Sequence, residues 1–386
     1  MVYGHATTML HNGKSTEYFT VDYTGTQSNN SANYNSTNVE YPVLDKPIIE
    51  ADIQAFFPEA VAAVNRHRMT LCLAHIKKQS TIILLDDTRL TKPQEYVLLT
   101  LEDNHNPNET RALIGIYPHV APNLLPQIRS TKDWLLTRRK LKKTIPKGKY
   151  PVVFAPGIGG ILMHEIVGHP FELHRPYAQH SPANLNKGHQ LFSSNLSVKD
   201  VPLSLVCKED FDGEGTPTKE TVLLQNGIVG MPLTDSRTCL QFPEYPLTGN
   251  CRRESCNHKP TPRMYCTYVE DGTDSASQAI GGIEYGFYAE AVSYAIVDHL
   301  ANTIVMSVGK GRIIRHGTLT DAPVVFTIAD KMSAFTNVKH VCNDGLLLPG
   351  ICGGSSGMLY VEHGSPTMAF GGVQVVNASQ GFAQTH

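Results

Sequence analysis

No stretch of this 386-residue sequence holds the run of about 18 apolar residues that a membrane helix requires, so no membrane span or membrane partner is expected. The start, MVYGHATTMLHNGKS, has neither the charged beginning nor the apolar stretch of a secretory signal, and the expected location is the cytosol. An excess of one charge is missing too. The formal net charge of -2 predicts no nucleic-acid partner and no anionic membrane surface. Cysteine occurs, but never as a C-x-x-C pair. Cys72, Cys207, Cys239, Cys251, Cys256, Cys266, Cys342 and Cys352 form no standard zinc knuckle, and as reduced, small buried side chains they fit a cytosolic chain. No internal repeat stands out.

What is present is an ordinary globular composition, 41% hydrophobic and 18% charged, in a chain long enough for two domains or one large one. One stretch organises the reading: Pro151 to His174, PVVFAPGIGGILMHEIVGHPFELH. An apolar run ends in a Gly-rich turn and leads into His164-Glu165-Ile-Val-Gly168-His169, an H-E-x-x-x-H. Two imidazoles and a carboxylate within six residues of a predicted helix suit a zinc hydrolase, with His164 and His169 as metal ligands and Glu165 as general base. The spacing is one residue wider than the common H-E-x-x-H. On an ideal α-helix, positions i and i+5 point roughly 140° apart. The helix must therefore widen or break before His169. A π-turn would bring both rings to one side, and Gly168 is the residue expected to permit it. The glycines of Gly157-Ile-Gly-Gly160 are expected to let backbone pass close to substrate or metal.

Around this stretch the pattern predicts an α+β protein. The first half, residues 1–148, reads as a mixed domain. A polar Asn/Ser/Thr tract follows a strand at Tyr18–Tyr23, and a helix spans Ile49–Arg66. Strands are expected at Thr70–Ile76, Thr81–Leu85, Tyr96–Leu101 and Ala112–Tyr117, then a helix at Leu124–Ile145. That helix ends in RRKLKKTIPKGK, which reads as a solvated face or as a grip on an acidic substrate. The turn at Lys147-Gly-Lys149 marks the boundary. Residues 149–386 read as a mainly antiparallel β domain carrying the zinc helix, with strands at Leu203–Val206, Thr221–Leu224, Tyr285–Tyr288, Ala295–Val297, Thr303–Val308, Val324–Ile328 and Met358–Glu362. Asn226-Gly227 signals a hairpin. Ser236–Gln278 lacks a period and reads as a functional loop.

Zinc hydrolysis needs a third protein ligand and an open position for water. Locally, His174 and Glu172 are within reach. Farther along, Cys352 sits in Pro349-Gly-Ile-Cys-Gly-Gly-Ser-Ser-Gly357, read as a Gly-rich loop. Spacing alone leaves Cys352 and His174 both open. The segment holding Arg252, Arg253, Glu254, His258 and Arg263 has two readings. It is either a salt-bridged loop bracing the zinc domain, or a source of catalytic groups. In the second case His258 and Arg253 polarise the scissile carbonyl or steady the oxyanion.

From about Tyr150 onward the sequence resembles the TldD/PmbA metallopeptidases, and most closely the TldD branch that carries H-E-x-x-x-H. The motifs are GILMHEIVGHPFE, DGEGTP followed by LLQNGIVG, TGNCRRESCNHKPTPRMYCTYVEDG, and PGICGGSSGMLYVEHGSPTMAFGGVQV. The resemblance implies a Zn2+ ion bound by His164, His169 and Cys352, with Glu165 as base. It implies cleavage of unfolded peptides, or of a peptide-like biosynthetic intermediate, in a homodimer or in a heterodimer with a TldE-like subunit. A tailoring amidohydrolase acting on one small metabolite of a natural-product pathway is the alternative. Another is a non-catalytic zinc-binding partner subunit, against which the retained Glu165 speaks. Two departures stand out. The first half looks shorter than the family's N-terminal domain. Glu284-Tyr-Gly-Phe-Tyr288 is followed by AEAVSYAIVDHLANT where relatives often carry glycines.

Overall fold

The computed structural model describes residues 145–174, 187–202 and 209–377 without interruption. Before them it describes residues 3–9, 19–20, 38–40, 58–60, 62–64, 67–84, 87–105, 111–117 and 124–141. The strand expected at Leu203–Val206 lies outside these residues, as do most of the polar tract and most of the Ile49–Arg66 helix.

The N-terminal part supplies β1 (Tyr3–Met9), β2 (Phe19–Thr20), β3 (Asn38–Glu40), β4 (Met69–Ile83), β5 (Arg89–Asp103), β6 (Arg111–Tyr117) and helix α1 (Leu124–Arg138). These strands form one sheet in the order β2-β1-β4-β5-β3, with β6 also paired to β5. The strands expected at Thr70–Ile76 and Thr81–Leu85 are one element. The polar Lys77–Ser80 stretch that suggested a turn continues the ladder opposite Lys92–Glu95. Helical residues 58–60 and 62–64 place Ala60 and Val64 in a small core with Leu99, Leu101, Ile128 and Leu135. Just past α1, one residue of the basic segment is tied down while Lys140 is exposed. Arg139 donates to both carboxylate oxygens of Asp103, at 2.9 and 2.7 Å, and to the His67 carbonyl at 2.7 Å.

The second part begins with β7 (Gly148–Phe154) and a helical stretch made of α2 (Ile158–Met163), a π-turn (His164–Gly168) and a short 3-10 turn (His169–Phe171). Then follow β8 (Val198–Asp200), β9 (Thr221–Gln225), β10 (Ile228–Val229), α3 (Ser236–Gln241), β11 (Cys251–Arg252), β12 (Thr261–Pro262), β13 (Cys266–Val269) and α4 (Ala276–Gly281). Long strands complete it: β14 (Tyr285–Asp298), β15 (Thr303–Arg315), β16 (Thr318–Lys331), β17 (Val338–Val341), β18 (Leu346–Gly354), β19 (Gly357–Ser365) and β20 (Met368–Asn377). The β9–β10 hairpin turns at Asn226 and Gly227 with φ of 52° and 75°, the left-handed pair that Asn-Gly favours.

Two sheets result. One runs β16-β15-β14-β7-β20-β17 and closes on itself through an added β16–β20 pairing. The other runs β10-β9-β8-β13-β19-β18. Of their pairings, only β7–β14 and β13–β19 are parallel. This is the α+β arrangement, β-rich in its second part, that the patterning predicts. Cys352 is corrected from loop to strand: it lies on β18, opposite Leu359 of β19.

The helical stretch lies between the two sheets, and one continuous core surrounds it. Leu162, Met163, Val167 and Phe171 pack with Val152, Phe287 and Phe370 on one side and with Val198, Leu223 and Val269 on the other. Contact with β19 is backbone against backbone: a Cβ on Gly160 would stand 2.7 Å from the Gly364 nitrogen. Gly160 therefore serves close approach to β19, while Gly157, at φ 81°, abuts Leu348 of β18 and Gly159 abuts Met368 of β20.

Gly168 is also corrected. Its φ of -54° and ψ of -60° are ordinary right-handed helix, so its backbone freedom is not what the turn uses. The requirement is space. A Cβ there would lie 1.9 Å from Met264 Sδ and 3.1 Å from Thr267 Oγ1. Gly168→Ala is expected to lower stability by about 1–3 kcal/mol, the usual cost of overpacking. The penalty should shrink in a Met264→Ala background. Denaturant unfolding measures both, and a Gly168→Ala protein as stable as the parent would contradict the packing argument.

Candidate metal centre

The helical stretch solves the spacing problem by widening. The His169 N–H donates to the His164 carbonyl, an i→i+5 bond that takes one extra residue into the turn. Residue i+5 then returns above residue i, and the two rings meet edge to face with centroids 4.8 Å apart. Both turn the same nitrogen toward one sulfur: Cys352 Sγ lies 3.1 Å from His164 Nε2 and 3.3 Å from His169 Nε2. All three side chains are buried. Glu165, between the two histidines, is half-buried.

The outward ring nitrogens are held as well. His164 Nδ1 is 3.3 Å from Thr267 Oγ1 on β13, and His169 Nδ1 is 3.2 Å from a Glu172 oxygen one 3-10 turn later. Such contacts fix which ring nitrogen faces a metal. Arg263, fully buried, reaches the same place from the segment after β12. Its Nη2 donates to Cys352 O at 2.9 Å and to Cys352 Sγ at 3.0 Å, its Nη1 donates to Ser356 Oγ at 2.8 Å, and its Nε is 3.2 Å from Glu172. His363 on β19 meets His164 edge to face with centroids 4.6 Å apart, and the His299 ring centroid is 6.4 Å from that of His169.

Burial works against a charged His169, but the Glu172 carboxylate and the contacts to Cys352 and Glu172 outweigh it and raise its pKa to about 10. His363 goes the other way: burial, and then the charge of His169, press it down to about 4.

Two imidazole nitrogens and one sulfur suit zinc. In a tetrahedral site with normal bond lengths such nitrogen and sulfur atoms sit about 3.5 Å apart. The observed separations need to grow by only a few tenths of an ångström, so the residues fit the ion. Among the described residues one other trio has this kind of donor set: Glu214, Asp235 and Cys251. Its carboxylates are committed to the start of α3. Glu214 accepts from Ser236 N and Oγ, and Asp235 accepts from Thr238 N. Burial raises the Cys251 thiol far above the ordinary range. That trio reads as a helix cap.

The donor set thus combines His164, His169 and Cys352 and leaves out His174. Glu172 supports a histidine instead of joining the three. His258 and Arg253 stand apart. His258 pairs with Ser255 Oγ at 2.9 Å and Glu254 at 3.6 Å, against the β18–β19 turn at Gly357. Among the described residues no hydrogen bond or ion pair joins His258 or Arg253 to the three donors. From that segment it is Arg263 that touches the cluster, and in sequence nothing but its place near other arginines singled it out. Thr267, His299 and His363 carried no local signal.

Residues 147–377 match the family model described as the PmbA/TldA metallopeptidase C-terminal domain. The chain belongs to the TldD/PmbA family. A metalloprotease TldD homolog of Buchnera aphidicola (subspecies Schizaphis graminum) is 28% identical over 239 residues, covering 58% of this chain and 47% of that protein. A zinc metalloprotease TldD homolog of Saccharolobus solfataricus is 27% identical over 233 residues, covering 59% of this chain and 52% of that one. The aligned region thus spans about half the length of these curated relatives. The fold matches TldE from Thermococcus kodakarensis, with a TM-score of 0.67 at 14% identity over 90% of this chain and 80% of that one. It also matches a putative modulator of DNA gyrase from Thermotoga maritima, at 0.64 and 17% over 89% and 80%. Among the described residues no helix is long and apolar enough to cross a membrane.

His169 can ligate a metal only as neutral imidazole, whereas its surroundings favour the imidazolium until the pH reaches about 10. Metal uptake at neutral pH must therefore expel a proton. Apparent zinc affinity is expected to rise about tenfold per pH unit across neutrality for each proton expelled. Competition against a chromophoric chelator at several pH values measures this, and a flat profile would contradict it.

Proposed function

We propose that this chain is a zinc-dependent hydrolase of peptide or amide bonds, of TldD type. The observation that carries the reading is the convergence of His164 Nε2 and His169 Nε2 on Cys352 Sγ, at 3.1 and 3.3 Å, from a motif whose one carboxylate is Glu165. When bound there, zinc supplies Lewis acidity toward a scissile carbonyl and makes a water molecule acidic. The chain's own residues do the rest. His164, His169 and Cys352 hold the ion, with Thr267 and Glu172 keeping the two rings in place. Glu165 accepts the proton of the attacking water and returns it to the leaving amine. His258 and Arg253 are proposed to steady the carbonyl oxygen as it gains charge, reached when substrate lies along the β18–β19 turn.

The substrate is proposed to be an unfolded peptide or a peptide-like biosynthetic intermediate, and the assembly a dimer with a second copy or with a TldE-like subunit, in the cytosol. The fold likeness to TldE supports such a partnership. A second reading, a tailoring hydrolase for one small metabolite, draws support from the β14 segment. Where similar proteins often carry glycines this chain has a full strand, and just after it His299 lies near His169.

Glu165→Gln is expected to keep one zinc per chain by elemental analysis. It should lower hydrolysis of unfolded peptides, followed by mass spectrometry, by at least about 100-fold. Turnover equal to that of the parent protein would refute the assignment.

A further inference from the structure

Resting on the zinc reading above, we propose that Arg263 and Glu172 are a pair of positioning residues that lock the two parts of the ligand set, which come from distant stretches of chain, into one unit. The metal ligands come from two places. His164 and His169 belong to the helical stretch, and Cys352 belongs to β18, 183 residues after His169. The 3.1 and 3.3 Å contacts between donor atoms cannot hold that arrangement alone. They are the sites the ion itself would pull on.

Arg263 and Glu172 make the connection from outside. Glu172 faces His169 Nδ1 with one carboxylate oxygen, at 3.2 Å, and Arg263 Nε with the other, at 3.2 Å. The opposite edge of the guanidinium spans the tip of the β18–β19 hairpin. It donates to Cys352 O and Sγ at 2.9 and 3.0 Å, and to Ser356 Oγ and Gly357 O at 2.8 and 3.4 Å. The path His169–Glu172–Arg263–Cys352 is thus continuous, with ion-pair contacts at Glu172 and hydrogen bonds from Arg263 to Cys352. A planar guanidinium suits it because its donors are fixed relative to one another, which a lysine ammonium cannot reproduce. The side chains of Arg263 and Glu172 are 1% and 0% exposed, so neither touches bulk water. Two isolated charges at such depth would each be unfavourable; paired, they offset one another while touching His169 and Cys352.

A second consequence concerns the sulfur. An N–H donor on Sγ occupies one of its lone pairs and lowers the energy of its filled orbitals. Cys352 then gives less electron density to the ion, which stays a stronger Lewis acid. Arg263 would in this way set the sulfur's donor strength as well as its direction.

The test uses the full chain and its cobalt(II)-loaded form, in which a sulfur-to-cobalt charge-transfer band reports on Cys352. Zinc affinity is measured for the parent, Arg263→Gln, Arg263→Lys, Glu172→Gln and the Arg263→Met/Glu172→Gln double variant. Each single variant is expected to lose about 10- to 100-fold in affinity, the usual effect of losing a group behind a ligand. The double variant should lose no more than the worse single one, because both changes break the same path. The charge-transfer band should move to longer wavelength in Arg263→Gln and Arg263→Lys alike. If a single variant does not fold, the double variant decides, since it leaves no lone buried charge: its band must still shift. Losses that multiply in the double variant, or a parent-like band without Arg263, would overturn the proposal while leaving the zinc site intact. A parent protein that binds neither zinc nor cobalt would overturn the zinc reading itself.

Discussion

Two histidines five positions apart can face one sulfur only if the helix between them takes an extra residue into its turn. The hydrogen bond from the His169 amide to the His164 carbonyl is that turn, and the other features of the centre follow from it. The widening is spread along the chain. The backbone at Met163, His164, Gly168 and His169 stays in the right-handed helical region, so no single residue carries the strain. What the turn does require is a neighbour that presses close on its wide side. Met264 fills that place against the bare Cα of Gly168, and the same sulfur lies 3.3 Å from Thr267 Oγ1, which in turn faces His164 Nδ1. Packing behind the turn and ligand orientation in front of it are therefore one arrangement.

The centre is also non-local. Cys352 stands 188 residues from His164, and it is placed only when β18 has paired with β19, β19 with β13, and the helical stretch has settled on Gly364. Closing such long loops is entropically costly and comes late in folding. A metal that bridges the helix and the hairpin would therefore stabilise long-range contacts that cost the chain much loop-closure entropy.

Much of this could be read from the chain, and the exceptions have physical causes. The H-E-x-x-x-H was legible because helical geometry makes its spacing awkward, and the awkwardness itself pointed to a π-turn. The Asn226-Gly227 hairpin was legible because only a few residues tolerate two successive positive φ angles. The strand that carries Cys352 was read as a loop, because Pro349, Gly350, Gly353 and Gly354 erase its side-chain pattern while its backbone still pairs with β19. Glu172 and Arg263 were visible as residues but not in their roles. Charge pairs that join positions 91 residues apart leave no periodic trace. The arginines at 252, 253 and 263 look alike in sequence, yet one stacks on Tyr265, one has no described tie to the centre, and one grips Cys352.

The electrostatics of the centre favour an added cation independently of the identities of its donors. Burial alone would drive a proton off His169, as it does for His363 close by. Instead the proton on His169 is held to about pH 10, since Glu172 and Cys352 make the interior of this cluster attractive to positive charge. A proton satisfies the field at one atom. A divalent ion among the three donors would satisfy it at all of them, and it would release the proton as it enters. The competition between proton and metal for His169 is thus a property of the same buried carboxylate that orients the ring, and neither role can be altered without the other.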